Sequence, residues 1–195
     1  GCGKTTMARK LEDNLGAIYF AFPGAHPGTL GKHVYELHHG LFGGVSIPQI
    51  SLQMLHVAAH IDAIENQIKP ALQSGKTVAL DRYYWSTYIY GLHNGVNEKF
   101  LLNLIALEQS VWGDIKPEML FLLLRSEPIR PEGKLDDPMV YERWGQLRDL
   151  YLNSLSYLTN GCTKRIIVNH GSVDETFGDV IYHIMGRVRQ TESRS

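Results

Sequence analysis

Cysteine, an excess of one charge and long apolar runs are all scarce in this chain of 195 residues. Its two cysteines, Cys2 and Cys162, are too few for a disulfide framework and favour a reducing compartment, so we expect a cytoplasmic protein. The 19 lysines and arginines nearly balance the 20 acidic residues, which gives no bulk electrostatic reason to expect nucleic acid or a membrane as a partner. The longest apolar run, Met119 to Leu124, is far too short to cross a bilayer and is typical of a buried strand.

The chain also lacks an initiator methionine and half of a sequence motif. It begins with G-C-G-K-T-T over residues 1–6, the second half of the phosphate-binding loop G-x-x-x-x-G-K-[ST]. We therefore expect an N-terminally truncated fragment, without the strand that feeds such a loop, and every activity predicted below refers to the complete parent protein. Because the native N-terminus is expected to be missing, the presence of a targeting peptide stays open.

The loop remnant predicts a site for ATP and Mg²⁺. Gly3 allows close backbone approach, and the positive end of the following helix favours a polyphosphate. Lys4 would reach the β- and γ-phosphates, and the Thr5 hydroxyl would bind Mg²⁺. The alternative is a chance G-K-T before an ordinary helix. The predicted nucleotide-binding residues are Gly1, Cys2, Gly3, Lys4, Thr5 and Thr6.

Strand, loop and helix patterns alternate along the chain, and 44% hydrophobic residues supply a core for one domain over residues 1–195. This alternation predicts an α/β fold with a parallel sheet flanked by helices and ligands at the carboxyl ends of the strands. Strands are predicted over Ala17–Phe22, Thr77–Leu80, Met119–Leu124 and Arg165–Asn169. Helices are predicted over Thr5–Leu15, Lys32–His39, Pro48–Ser74, Asn97–Trp112, Met139–Leu158 and Val173–Arg189, and a disordered tail over Gln190–Ser195.

Two features of these helices bear on later findings. The long helix carries an apolar stripe that predicts its core face, formed by Ile50, Met54, Val57, Ile61, Ile64 and Ile68. Gly75 predicts its C-terminal end. For the helix over 97–112, periodicity alone assigns Leu101, Leu104, Ile105 and Leu107 neither to the core nor to an interface.

The most informative stretch is D-R-Y-Y-W-S-T-Y-I-Y-G, residues 81–91. Asp81, at a predicted strand end, could hold Mg²⁺ through water or orient an acceptor oxygen, and Arg82 could bind a phosphate through two hydrogen bonds. This pairing beside a phosphate loop suits phosphoryl transfer between two anions. The alternative is a surface Asp–Arg pair that caps the next helix.

The pattern D-R-Y-x-x-S-T-x-x-Y resembles the signature of the thymidylate kinases and related pyrimidine monophosphate kinases. The resemblance extends along nearly the whole chain. It includes Phe22-Pro23 with the following T-L-G-K, the long helix that closes with I-K-P-A-L, and Lys116-Pro117-Glu118 before an apolar strand. It implies a three-layer P-loop kinase fold, transfer of phosphate from ATP to a nucleoside monophosphate, most simply dTMP to dTDP, and a homodimer.

The resemblance also implies roles for individual residues. Lys4 and Thr5 would serve ATP and Mg²⁺, Asp81 the metal or the acceptor, and Arg82 the acceptor phosphate, while Ser86 and Tyr90 would line the nucleoside pocket together with Pro23 of the acceptor loop. A lid is implied over about 125–138. Since the loop remnant has Gly1-Cys2 where one branch of the family carries an arginine, the basic charge for the transition state is expected from Arg125, Arg130 or Lys134, with Arg130 as the predicted catalytic residue. These three could instead be solvated loop charges.

The acceptor half departs from the family pattern. Where thymidylate kinases usually carry a ring that stacks on thymine and, four residues later, an arginine that reads it, this chain has His56 and His60. Their spacing places both imidazoles on one helix face, where they could stack on and hydrogen-bond with a base. Zinc binding by H-x-x-x-H and two functionless surface histidines are the alternatives. Ala21-Phe22 stands where an arginine often precedes Pro-Gly, and Asp136-Asp137 where the lid often reads Asp-Arg.

Four functions therefore compete. The first is an ATP- and Mg²⁺-dependent nucleoside monophosphate kinase of conventional or altered base choice. A deoxynucleoside kinase would need a carboxylate after the second strand, and Ala21 to Ala25 contain none. A nucleotide-binding regulator without turnover would explain the missing acceptor arginines. A nucleic-acid-dependent ATPase is disfavoured because there is no basic stripe.

Overall fold

A computed structural model describes residues 1–24, 26–39, 46–127, 138–158 and 161–192. None of the helices in these ranges combines the length and the apolar character that a membrane span needs. The strands are β1 (Ile18–Ala21), β2 (Val78–Asp81), β3 (Met119–Leu124) and β4 (Thr163–Val168). The helices are α1 (Lys4–Leu15), α2 (Leu30–His38), α3 (Gln49–Ala63), α4 (Lys69–Gln73), α5 (Tyr84–His93), α6 (Glu98–Trp112), α7 (Pro138–Leu158) and α8 (Val173–Glu192), and a π-helical turn, Ile64–Ile68, joins α3 to α4.

The chain divides into two compact units. The phosphate-loop unit comprises Gly1–Lys10 and Lys116–Ser195, and the acceptor unit comprises Leu11–Ile115. In the acceptor unit β1 runs parallel to β2, with Ile18 opposite Val78. In the phosphate-loop unit β3 runs parallel to β4, with Met119 opposite Thr163. The prediction of parallel strands alternating with helices is confirmed for both pairs.

The predicted core stripe of the long helix is only half right. Val57, Ile64 and Ile68 are buried, but Ile50 and Met54 are 43% and 54% exposed. The buried face instead runs through Gln53, Val57, His60, Ile64 and Ile68, at intervals of three or four residues. The prediction went wrong because Gln53 and His60 take core positions, and Met54, one position after Gln53, faces outward.

Gly75 ends the long helix, as predicted. Gly75 has a positive φ of 74°, a conformation that glycine adopts without steric cost. Its N–H donates to the Leu72 carbonyl at 2.9 Å, and the N–H of Lys76 donates to the Ala71 carbonyl at 3.1 Å. These are the two hydrogen bonds of a Schellman cap, which satisfies the last carbonyl groups of α4.

Helix α5 was not among the helices expected from the sequence. It packs closely on α6, because a Cβ atom at Gly91 would lie 2.5 Å from a methyl carbon of Leu101. Of the four α6 residues that periodicity left open, Leu101, Leu104 and Ile105 are buried and Leu107 is exposed. At the other end of the chain, α8 continues to Glu192, so the disordered tail predicted from residue 190 is wrong for residues 190–192, while 193–195 lie outside the described residues.

Candidate active site

The phosphate loop leads directly into α1 in the phosphate-loop unit. Gly3 has a φ of +95°, and its carbonyl accepts the first helical hydrogen bond, from the N–H of Met7 at 3.0 Å. The N-terminal end of α1, with its backbone N–H groups and positive dipole end, is therefore directed at the loop. Lys4 Nζ lies 3.6 Å from the Sγ atom of Cys2. The loop therefore lies at a helix N-terminus, the kind of end at which anions bind in proteins.

One side chain of this unit was missed by the sequence reasoning. Asn169 follows β4 directly and donates from Nδ2 to the carbonyl oxygen of Cys2 at 3.0 Å. Its Oδ1 accepts a hydrogen bond from Arg125 Nη1 at 3.3 Å. An asparagine after a strand is an ordinary turn residue in sequence, and the 167 positions between it and Cys2 leave no local signal. Its position at the carboxyl end of a parallel strand was the signal available.

In the acceptor unit, β1 and β2 end side by side. The N–H of Phe22 donates to the carbonyl of Asp81 at 3.0 Å, which places the Pro23 loop beside the Asp81-Arg82 pair. That loop lies tightly against the start of α2, since a Cβ at Gly31 would sit 2.0 Å from the Pro23 carbonyl oxygen. Only glycine fits at this approach. The acceptor loop and the D-R motif therefore share one edge of the β1–β2 pair, as predicted.

Backbone strain marks the D-R motif. Asp81 is buried, and the next residue, Arg82, has a φ of +73° although it is not glycine. Such a conformation costs roughly 1–3 kcal/mol and concentrates at functional sites. The Arg82 guanidinium lies 5.0 Å from the centre of the Tyr90 ring, within range of a cation–π interaction. Ser86 and Tyr90 are four residues apart on α5 and so lie on the same face as this contact.

His60 is a core residue with defined partners. It is 3% exposed, its ring stacks on Phe22 with centroids 4.0 Å apart, and its Nδ1 lies 2.8 Å from Oε2 of Glu108. Glu108 is fully buried and also accepts a hydrogen bond from Trp112 Nε1 at 3.4 Å. The alternative of two functionless surface histidines is wrong for His60. Glu108 was missed because nothing near it in sequence distinguishes it from an exposed helix residue.

His56 sits one turn earlier on α3 and is half-buried. Its Nε2 lies 3.2 Å from Nδ1 of His38, and its ring centre lies 6.4 Å from that of His60. Burial, followed by the charges of His60, His38 and Arg82, lowers the pKa of His56 from 6.5 to about 3. His56 is therefore neutral near pH 7, a state in which an imidazole can both donate and accept hydrogen bonds. The two predicted base-reading histidines do lie together, and Arg82 is close enough to act on one of them.

The remaining predicted residues are those of the lid and of the magnesium site. Arg130, Lys134 and the Asp136-Asp137 pair lie outside the described residues, as does most of the lid predicted over 125–138. Thr5 and Asp81 offer a hydroxyl and a buried carboxylate, oxygen donors of the kind that Mg²⁺ prefers, so the residues present fit that ion. Within the described ranges, no group of three or more His, Cys, Asp or Glu side chains is placed to hold a metal ion.

Comparison with known proteins gives one consistent answer. A family model described as thymidylate kinase matches residues 1–133. The chain is 36% identical over 130 residues to the thymidylate kinase of Bartonella henselae, covering 63% of this chain and 58% of that protein. It is 39% identical over 129 residues to the thymidylate kinase of Chlorobium chlorochromatii, covering 63% and 55%. The match thus spans a little over half the length of these two relatives.

A longer match and a structural match extend this result. A probable thymidylate kinase of Thermococcus kodakarensis is 28% identical over 170 residues, which cover 78% of each chain. The crystal structure of thymidylate kinase from Ehrlichia chaffeensis superposes with a TM-score of 0.70 at 19% identity, over 94% of this chain and 93% of that one. The chain has the α/β P-loop kinase fold and belongs to the thymidylate kinase family.

Proposed function

We propose that this chain carries the phosphoryl-transfer site of an ATP- and Mg²⁺-dependent nucleoside monophosphate kinase, with dTMP to dTDP as the first reaction to test. The observation that carries the proposal is the convergence, in the acceptor unit, of the Pro23 loop, strained Arg82, Tyr90 and the two helix histidines at the carboxyl ends of β1 and β2. The phosphate loop at the start of α1 would bind the other substrate, ATP. Membership of the family supports the same reaction.

In the proposed reaction an oxygen of the acceptor's phosphate attacks the γ-phosphorus of ATP, and the bond to the bridging β,γ-oxygen breaks, so ADP leaves with that electron pair. Lys4 and the α1 amides hold the ATP phosphates. Arg82 holds the acceptor phosphate, and its ring contact with Tyr90 fixes its direction. Thr5 and Asp81 are the residues that would hold Mg²⁺, and the ion would neutralise charge on the phosphates. By the family resemblance, Arg130 of the predicted lid would stabilise charge in the transition state, and closure of the lid would exclude water.

The base-reading end of the site favours a second candidate, a monophosphate other than dTMP. His60 stands where the family usually has an arginine, and its ring is held between Phe22 and Glu108. An imidazole in this position offers one ring nitrogen to a ligand, whereas a guanidinium offers a fork of donors. Base choice should therefore differ from that of an enzyme that reads thymine with arginine.

The test is ADP release by the full-length protein with ATP and Mg²⁺ against a panel of acceptors: dTMP, dUMP, dCMP, UMP, CMP, the purine monophosphates and thymidine. Turnover with one or more monophosphates is the expected result, and Lys4→Met should lower it about a hundredfold or more because a phosphate contact is lost. Lys99→Met, which removes the same charge from an exposed position on α6, should leave the rate unchanged.

The other outcomes are equally informative. Release of ADP with thymidine alone would assign a deoxynucleoside kinase. Binding of ATP without transfer to any acceptor would identify a nucleotide-binding regulator. If Lys4→Met and Lys99→Met lower turnover equally, the phosphate loop is not the site of ATP use.

A further inference from the structure

Asn169 lies directly after the end of β4 and is held by backbone and side-chain hydrogen bonds. It is 6% exposed, and its backbone N–H donates to the carbonyl of Leu124 at 2.8 Å, one residue past the last pair of the β3–β4 ladder. This hydrogen bond joins the backbone of Asn169 to the end of β3. A side chain at this place reaches beyond the carboxyl ends of the strands, where ligands of parallel sheets bind.

The side-chain amide of Asn169 is fully used. Oδ1 accepts from the N–H of Gly171 at 2.9 Å and from Arg125 Nη1 at 3.3 Å, and it lies 3.3 Å from the Thr176 hydroxyl, which donates to the Ser172 carbonyl at 2.7 Å. Nδ2 donates to the carbonyl oxygen of Cys2 at 3.0 Å. Two N–H donors on the oxygen and an acceptor on the nitrogen fix the amide orientation, because the flipped amide would face these donors with its own NH₂ group. One amide thus joins the end of β4, the first turn of α8, Arg125 and the phosphate loop.

The contact with Cys2 determines the direction of the next amide group. In a planar trans peptide the carbonyl and the following N–H point to opposite sides. Holding the Cys2 carbonyl toward Asn169 therefore turns the Gly3 N–H away from Asn169. Gly3 has a φ of +95°, a conformation that favours glycine. A Cβ atom at Gly3 would lie 2.9 Å from Asn169 Nδ2, so the Asn169 amide occupies the space that a side chain at position 3 would need.

We propose that Asn169 is a positioning residue of the phosphate loop, which presets the Gly3 N–H as a donor for the polyphosphate of ATP. The inference rests on the proposed use of the loop to bind ATP and adds a determinant that lies outside the loop motif. The same amide holds the guanidinium of Arg125, so the start of the predicted lid and the phosphate loop share one hydrogen-bonding partner. A loop that is preset before binding loses less entropy when ATP binds.

The near-isosteric variant Asn169→Asp tests the critical hydrogen bond. It keeps an oxygen for Gly171, Arg125 and Thr176 but replaces the NH₂ donor with an oxygen that faces the Cys2 carbonyl. We expect the Kd of ATP, measured by calorimetry without acceptor, to rise about tenfold or more, and the KM for ATP to rise with it. The KM for the monophosphate acceptor should stay within about twofold of the wild-type value. A general loss of structure would raise both KM values, so it would not produce this difference.

Three further variants separate the causes. Asn169→Leu removes the donor without adding charge and should also weaken ATP binding, so tight binding by this variant would show that Asn169→Asp acts by charge repulsion alone. Asn153→Asp makes the same charge change at an exposed position of α7 and should bind ATP normally. Thr176→Val removes the hydroxyl that lies beside Oδ1 but leaves the contact with Cys2, and should change the Kd by less than about threefold.

The result that overturns the inference is a folded Asn169→Asp or Asn169→Leu protein that binds ATP as the wild type does. Equal losses of ATP and acceptor binding would also overturn it. If neither variant folds, the side-chain amide signals of Asn169 in the wild-type NMR spectrum decide, since they should shift when ATP is added and not when the acceptor is added. A wild-type protein that binds no ATP would overturn the proposed function, and the inference with it.

Discussion

At the scale of single residues, His56 shows how the fold sets a protonation state. Its pKa is about 3 in the folded chain and 6.5 as a free side chain, chiefly because it is buried and secondly because His60, His38 and Arg82 lie near it. Below pH 6.5 His56 is protonated in the unfolded chain but stays neutral in the folded chain. The free energy of unfolding therefore falls as pH drops from 6.5 to about 3, by up to about 1.4 kcal/mol for each pH unit.

We predict that His56→Gln flattens this part of the pH dependence. Urea unfolding at several pH values between 7 and 4 should show a smaller loss of stability for the variant than for the wild type, because glutamine does not titrate. His33→Gln, at an exposed position of α2, is the control for removal of a histidine. Equal slopes for His56→Gln and the wild type would mean that His56 is protonated in the folded chain.

At the scale of helices and strands, α3 and α6 are joined by a buried polar contact, His60 with Glu108. Loss of one partner leaves the other buried without its hydrogen bond, which typically costs about 3–5 kcal/mol, whereas an apolar pair of similar volume is often tolerated. We predict that His60→Leu and Glu108→Leu each lower the free energy of unfolding by this amount, while the double variant approaches the wild type. Urea unfolding of all four proteins gives the coupling energy directly.

A surface pair provides the comparison. Glu65 and Lys69 form an exposed ion pair on the turn that follows α3, so Glu65→Leu should cost at most about 1 kcal/mol. The losses in free energy of unfolding caused by His60→Leu and Glu108→Leu could instead simply add in the double variant. That result would mean that this contact does not couple α3 to α6.

The elements also show what local sequence can and cannot predict. The strands and the cap at Gly75 were predictable because short apolar runs and a glycine stop carry their signals within a few residues. Helix α5 was missed because it is buried on several sides and lacks a polar face. The α3 stripe failed because the hydrogen-bonding partner of buried His60 is Glu108, 48 positions away. The contact between Asn169 and Cys2 is likewise long-range.

At the scale of the whole molecule, two large apolar residues of α3 lie on the surface of the single chain. Ile50 and Met54 are four residues apart and so lie on one exposed face of the helix. The family resemblance implies a homodimer, and we infer that a second copy of the chain covers this face. Burial of two large apolar side chains in each copy would contribute several kcal/mol to association, which makes the oligomeric state sensitive to a single charge placed there.

We therefore predict that the full-length protein sediments as a dimer and that Met54→Lys converts it to a monomer, because a lysine ammonium would be desolvated at the centre of the contact. The variant's thermal unfolding should begin from a folded monomer, since Met54 is 54% exposed within the chain. Met185→Lys makes the same exchange at a residue of α8 that is 49% exposed and should leave the dimer intact. A monomeric wild type, or a dimeric Met54→Lys protein, would show that α3 does not form the contact between copies.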